Sequence, residues 1–146
     1  MIRKAERSDL DQILVLLKNF SDFVENRKKY FKNTDYLHKF LCNIIDNHVF
    51  LVAEEGDKIV GLICGYVTPN IFNPEMTTAS EVFWWVEDEY KDTFKGARLL
   101  RTYLGVCKEY ADEIILTLEH NSPIKHKSLE RLGFKLRENI FIMEVD

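Results

Sequence analysis

One stretch constrains the fold more than any other: Glu81 to Tyr110, EVFWWVEDEYKDTFKGARLLRTYLGVCKEY. Its first apolar run, Val82-Phe83-Trp84-Trp85-Val86, is too short for a helix and is built of aromatic and β-branched side chains, so it predicts a buried strand. An acidic, polar segment follows from Glu87 to Lys95, then Gly96. Beyond it, Leu99, Leu100, Tyr103, Leu104, Cys107 and Tyr110 recur at the spacing of an amphipathic helix. A strand that runs through a loop into a helix leaves backbone N–H groups free at the helix start, where the helix dipole adds partial positive charge. Such a unit can cradle an anion such as a pyrophosphate.

The rest of the chain supplies a sheet for that strand. Met1 to Ala5 predicts a short first strand. Ser8-Asp9-Leu10-Asp11 has the character of a capping box and opens a helix ending near Asn19, with Leu10, Ile13, Leu14, Leu17 and Phe20 on one face. Residues 21–33 mix Phe23, Tyr30 and Phe31 with the basic run Arg27-Lys28-Lys29; they read as a solvated linker with aromatic anchors, or as a lid over the site. Thr34 or Asp35 caps a second helix that ends at Asn47. Val49 to Glu54 and Ile59 to Val67 form a hairpin about Glu55-Gly56-Asp57, and Gly61 and Gly65 mark close approach on one strand face. After a loop over residues 68–76, Thr77 to Val86 is the strand that enters the organising stretch. Glu113 to Leu118 predicts another strand. Pro123 suits the first turn of a helix that runs to Leu132, with Gly133 as its left-handed cap. Phe134 to Leu136 and Ile140 to Val145 predict a closing hairpin. The order β-α-α-β-β-β-α-β-α-β-β over residues 1–146 predicts one α+β domain, a mixed and mostly antiparallel sheet flanked by about four helices.

Composition narrows the function classes. The formal net charge of −4 argues against a dedicated nucleic-acid binder, whose phosphate contacts need a basic face. Cys42, Cys64 and Cys107 are odd in number and widely spaced inside apolar runs, which predicts neither a disulfide framework nor a metal site and suits a reduced, cytoplasmic setting. No run reaches the roughly 18–20 apolar residues of a membrane span, and no signal-peptide pattern opens the chain.

The strand–loop–helix unit resembles the cofactor motif of the GNAT N-acetyltransferases, Arg/Gln-x-x-Gly-x-Gly/Ala, whose amides hold the pyrophosphate of acetyl-CoA. With Gly96 at the last motif glycine, Lys91 takes the Arg/Gln position, Phe94 the first glycine, and Leu99-Leu100 the apolar pair of the helix. Ile2-Arg3-Lys4-Ala5-Glu6-Arg7-Ser8-Asp9 is similar to the family's Ile-Arg-x-Ala-x-x-x-Asp opening, and Leu132-Gly133-Phe134 to its C-terminal Leu-Gly-Phe. The resemblance covers nearly the whole chain. The tryptophan-rich strand and the loop with its spaced glycines look most like GNATs encoded by bacteriophages.

The resemblance implies transfer of an acetyl group from acetyl-CoA, as cosubstrate and without a metal, to a primary amine by direct attack in a ternary complex. It places the pantetheine arm against the backbone of Trp85, Val86 and Glu87. Lys91, Thr93, Phe94, Lys95, Gly96 and Ala97 would surround the pyrophosphate, and Asn121 would bind cofactor or cap the last helix. Glu81 is the candidate general base. Its five-residue separation from Val86 puts the two side chains on opposite faces of a regular strand. The family's acid, a tyrosine four residues before the glycine of Leu-Gly-Phe, is Leu129 here, which leaves His120 and His126 as candidates for returning a proton near neutral pH. The acidic run Glu87-Asp88-Glu89 favours a cationic acceptor, a small molecule or a protein amine. Because Phe94 and Leu129 depart from family functional positions, the alternative is a catalytically silent GNAT-fold protein that binds CoA or a protein partner. Exposed sheet edges are natural pairing surfaces, so a homodimer is expected.

Overall fold

The computed structural model describes residues 1–24 and 31–145. Its elements are β1 (Ile2–Lys4), α1 (Leu10–Phe23), α2 (Thr34–Asn47), β2 (Val49–Glu55), β3 (Lys58–Pro69), β4 (Thr77–Val86), α3 (Lys95–Cys107), β5 (Glu113–Ile115) and α4 (His126–Glu130). The strands form one sheet in the order β1-β2-β3-β4-β5. The pairs β1–β2, β2–β3 and β3–β4 are antiparallel, and β4–β5 is parallel. The α+β class and the mixed, mostly antiparallel sheet are therefore as the sequence predicts.

Both sheet faces are covered, which is why β2 and β3 carry nearly continuous apolar runs instead of alternating ones. On one face Ile13, Leu17, Leu41 and Ile44 from α1 and α2 pack on Phe50, Val52, Leu62 and Cys64. On the other, Leu99, Leu100, Tyr103 and Cys107 from α3 pack on Leu51, Val60 and Ile63. Both inner glycines of β3 serve close packing. A Cβ on Gly61 would lie 3.0 Å from Leu99 Cδ1, and one on Gly65 only 2.1 Å from Tyr103 Oη.

The opening motif is a clamp. The Arg3 guanidinium holds the Asp9 carboxylate through two hydrogen bonds of 2.8 and 2.9 Å, and its Nε donates to Glu54 Oε1 at 2.7 Å. Asp9 Oδ2 also accepts from the Glu6 N–H at 2.8 Å. Strand β1, the entrance to α1 and the end of β2 are thus tied at one buried carboxylate, and the Arg3 bonds push its pKa below the usual range.

Several boundaries differ from expectation. Helix α1 continues past Asn19 to Phe23, because Phe20 and Phe23 pack against Trp85 with ring centroids 5.7 and 5.3 Å away. Asn33, not Thr34 or Asp35, caps α2: its side-chain oxygen accepts from the Tyr36 N–H at 3.0 Å. Arg27-Lys28-Lys29 and Tyr30 lie outside the described residues. Strand β5 ends at Ile115, three residues before Leu118, and α4 starts at His126 instead of Pro123. Gly133 does adopt the left-handed cap, φ 98°, with Phe134 N–H bonded back to Leu129 O. The closing hairpin is absent among the described residues: Phe134–Leu136 and Ile140–Val145 form no strand, since neither run meets a ladder of backbone partners.

A bulge in β4 determines the site. Cys64 pairs with Phe83 and Gly65 with Glu81, so Val82 is an extra residue. Val82 and Phe83 accordingly both pack toward the α1–α2 layer, whereas Trp84 and Val86 pack toward α3. Glu81 sits opposite Gly65, whose Cβ direction points at Tyr103 of α3, and directly opposed residues share a face. The carboxylate of Glu81 therefore lies on the same side as Val86, reversing the regular-strand expectation.

Candidate active site

Strand β5 pairs with β4 only from Thr78 to Ser80. Beyond that point the two chains separate, and the edge of β4 from Glu81 to Val86 borders a cleft of about 710 Å³. Glu87 N–H donates to Val60 O at 2.9 Å, toward β3. Strand alternation then turns the peptide groups of Val86 and Trp84 to the open edge. Opposite them run Thr117 to Glu119, with the start of α3 above and α4 closing the side.

Seven of the residues singled out from sequence line this cleft: Glu81, Trp85, Val86, Lys91, Thr93, Gly96 and Ala97. At Gly96 a Cβ would meet only Val86 Cγ2, at 3.6 Å, so the cleft wall there is open backbone at the start of α3. No acidic residue occupies the first turn of this 13-residue helix, and its N-terminal partial charge is uncompensated. The Lys91 ammonium lies 2.5 Å from Asp88 Oδ1 and stacks over Trp85, 4.0 Å from the ring centroid, and Phe23, 4.8 Å. The Trp85 indole Nε1 is buried and has no hydrogen-bond partner among the described residues.

The other six sit elsewhere. Glu87 accepts from Asn19 Nδ2 at 2.7 Å and lines a second cleft. Phe94 precedes α3 with an ordinary φ of −76° and is 83% exposed, so its side chain leaves the cradle clear. Lys95 is drawn 2.5 Å from Glu55 Oε2 of β2, which pulls the Glu55 pKa down. His120 and Asn121 lie in an exposed turn, and Ser122 closes it by accepting from the Ile124 N–H at 3.3 Å. His126 is exposed at the start of α4, while Leu129, the position resembling the family acid, faces the cleft. Among the described residues the lining holds no tyrosine, histidine or cysteine; its hydroxyls are Thr93, Thr117, Ser122 and Ser128.

Sequence reasoning missed three cations of the lining: Arg101, Lys125 and Arg131. Arg101 was within reach, because it lies four residues after Ala97 and so on the same helix face. Lys125 and Arg131 are brought in by the path of the chain around α4, for which no local pattern exists.

Glu81 is the most perturbed acid in the cleft. Burial raises its pKa from 4.5 to about 7; the nearby Glu119 charge adds to this, and a 3.3 Å hydrogen bond from the Thr117 N–H opposes it. A carboxylate poised there can hold or take a proton near neutrality. Trp85 and Phe23 are shared with the second cleft, about 720 Å³, whose other walls include Asp22, Glu87, Asp88 and Glu89. That cleft is acidic and aromatic, a combination suited to cations.

The fold is shared with solved structures over nearly their whole length. A transcriptional regulator from Bacillus halodurans C-125 is 22% identical with a TM-score of 0.79, covering 99% of each chain. A possible acetyltransferase from Clostridium difficile 630 is 20% identical with a TM-score of 0.76, covering 100% of this chain and 97% of that one. A ribosomal-protein-alanine N-acetyltransferase from Brucella melitensis biovar Abortus 2308 is 11% identical with a TM-score of 0.71, covering 99% of each. No curated protein sequence matches the chain. The family model described as Acetyltransferase (GNAT) family matches residues 10–134, most of the length, and the chain belongs to that family.

Proposed function

We propose that the protein transfers an acetyl group from acetyl-CoA to a primary amine, by direct attack in a ternary complex. The observation that carries the reading is Glu81, a desolvated carboxyl poised near pH 7 on the wall of a cleft along an open strand edge. Family membership supports acyl transfer in general. The cleft fits an elongated anionic thioester: free peptide groups at Trp84 and Val86 suit an amide-bearing arm, and the start of α3 with Lys91, Arg101, Lys125 and Arg131 suits phosphate groups. When bound, the thioester supplies an electrophilic carbonyl.

Glu81, ionised, accepts a proton from the acceptor ammonium. The freed nitrogen lone pair would form the N–C bond as the C–S bond breaks; the nitrogen then gives up its second proton to become the amide, and that proton passes to the departing thiolate, directly or relayed by solvent or a lining hydroxyl. The acidic second cleft supports a cationic acceptor.

Thiol release with acetyl-CoA and a panel of primary amines tests this. Glu81→Gln is expected to lower kcat about 100-fold or more while acetyl-CoA binding persists. Absence of acetyl-CoA binding by the unmodified chain overturns the reading. A second reading, a CoA binder without turnover, is favoured by Leu129 at the position of the family acid. Binding without thiol release for any amine selects it.

A further inference from the structure

One ammonium of the chain already shows where a cation binds. Lys91 Nζ rests over Trp85, 4.0 Å from the ring centroid, and over Phe23, 4.8 Å away. Asp88 Oδ1 meets the same ammonium at 2.5 Å. Two aromatic rings and a carboxylate converging on one ammonium form a cation seat. The rings brace each other, with centroids 5.3 Å apart, and Trp85 is only 7% exposed, so the platform is fixed. Its occupant is not. An ion pair three residues apart on a surface turn holds a lysine only weakly, so the seat can change occupant.

The seat lies where the two clefts meet. Trp85 and Phe23 wall both, Lys91 belongs to the first and Asp88 to the second. Among the described residues, the second cleft sets Asp22, Glu87, Asp88 and Glu89 against a single cation, Lys58. Glu81 lines the same first cleft as the two rings. On β3 its partner is Gly65 and that of Trp85 is Leu62, three residues apart, so the two positions lie about 10 Å from each other along the strand. A small amine with one charge cannot reach both. A linear chain with two cations can.

We propose that Trp85, Phe23 and Asp88 bind the second cation of an acceptor that carries at least two ammonium groups on a linear chain, with the reacting amine at Glu81, and that Lys91 holds this seat while the acceptor is absent. The reacting end rests on the acetyl-transfer reading; the seat does not. A linear polyamine fits this layout. Its ammonium groups match the ring faces and the carboxylate, and the methylenes between them suit the apolar wall of Phe20, Val82 and Trp85. A phosphate in the first cleft competes with Asp88 for the Lys91 ammonium, so filling that cleft favours an empty seat.

Calorimetry on the cofactor-free full chain tests the seat, with spermidine as the probe. Lys91→Met removes the occupant and is expected to tighten spermidine binding about 10-fold, whereas Asp88→Asn is expected to weaken it about 10-fold. Lys58→Met removes a cation from the second cleft but not from the seat, and is expected to change binding about twofold at most. Far-UV circular dichroism should be the same for all of these chains. Thiol release then reads the span: the ratio of kcat/KM for spermidine to that for n-butylamine is expected to be about 10 or more and to fall about 10-fold in Asp88→Asn. Unchanged, weaker or absent spermidine binding in Lys91→Met overturns the proposal. So does equal tightening in Lys58→Met, which would mean a general effect of charge, and so does a ratio near one. Binding shifts as expected with no thiol release for any amine leave the seat standing and overturn the acetyl-transfer reading instead.

Discussion

Glu81→Gln separates burial from chemistry. The folded carboxyl titrates at about 7 against 4.5 for an ordinary one. At about 1.4 kcal/mol for each tenfold change in proton affinity, the ionised side chain is about 3 kcal/mol costlier in the fold than in the unfolded chain. The sign follows from the raised value. Glu81 contributes stability that is fully present below 4.5, where both states are protonated, and is lost as pH rises through about 7. Glutamine keeps the shape and an oxygen for the Thr117 N–H, and it never ionises. The variant should therefore gain on the unmodified protein by about 3 kcal/mol between pH 4.5 and pH 8. Urea unfolding at several pH values reads this out. With a slope of about 2 kcal/mol/M, the midpoint difference grows by about 1.5 M across the range. Every other titrating group is common to both chains and cancels in the difference. A midpoint difference that stays constant with pH refutes the burial argument, and with it the poise that recommends Glu81 as a base.

Gly65→Ala places a Cβ 2.1 Å from Tyr103 Oη and 2.5 Å from the Ser80 carbonyl, so it should cost about 3 kcal/mol and lower the thermal midpoint by roughly 6–12 °C. Adding Tyr103→Phe should restore only part of this, because the backbone clash remains. Asp9→Asn should cost about 3 kcal/mol at pH 7 by leaving Arg3 without its charged partner. The Asp9 pKa is lowered, so its contribution is present above 3.8 and fades as pH falls through the folded value; urea unfolding at pH 7 and pH 3 should show the difference shrinking in acid. Gly96→Trp should weaken acetyl-CoA binding about 100-fold by calorimetry, whereas Gly96→Ala, with only Val86 at 3.6 Å from its new methyl, should leave it nearly unchanged. Equal loss in both would mean that the start of α3 is not where the cofactor sits.

The scaffold was readable where a local pattern and the tertiary contacts agree. The turn at Gly56, φ 59°, joins β2 to β3 where the apolar runs break. The apolar spacing from Leu99 to Cys107 is the buried face of α3. What stayed hidden depends on partners far along the chain. Lys95 looks like a phosphate ligand until Glu55, 40 residues earlier, takes its ammonium. The end of α1 is invisible because Phe20 and Phe23 extend the helix by packing on Trp85, more than 60 residues away in sequence. The apolar run Ile140–Val145 is genuine, but a strand is a relation between two segments, and an apolar run in one does not supply the other.

One residue, Val82, separates the readable strand from the site built on it. In a regular strand, Glu81 and Val86 would face opposite layers. Glu81 would then project between Phe83 and Trp85 toward the aromatic layer under α1, on the sheet face opposite Val86 and α3. The extra residue returns Glu81 to the α3 face, beside Thr117 and within the cleft, while Phe83 and Trp85 stay in the α1–α2 layer. The bulge also falls just past Ser80, the last β4 residue paired with β5, where strand pairing stops and the edge opens. Re-aiming the carboxyl and opening the edge are thus placed at the same point of the strand. Sequence alone names the strand and the acid, but the pairing register decides which face the acid serves.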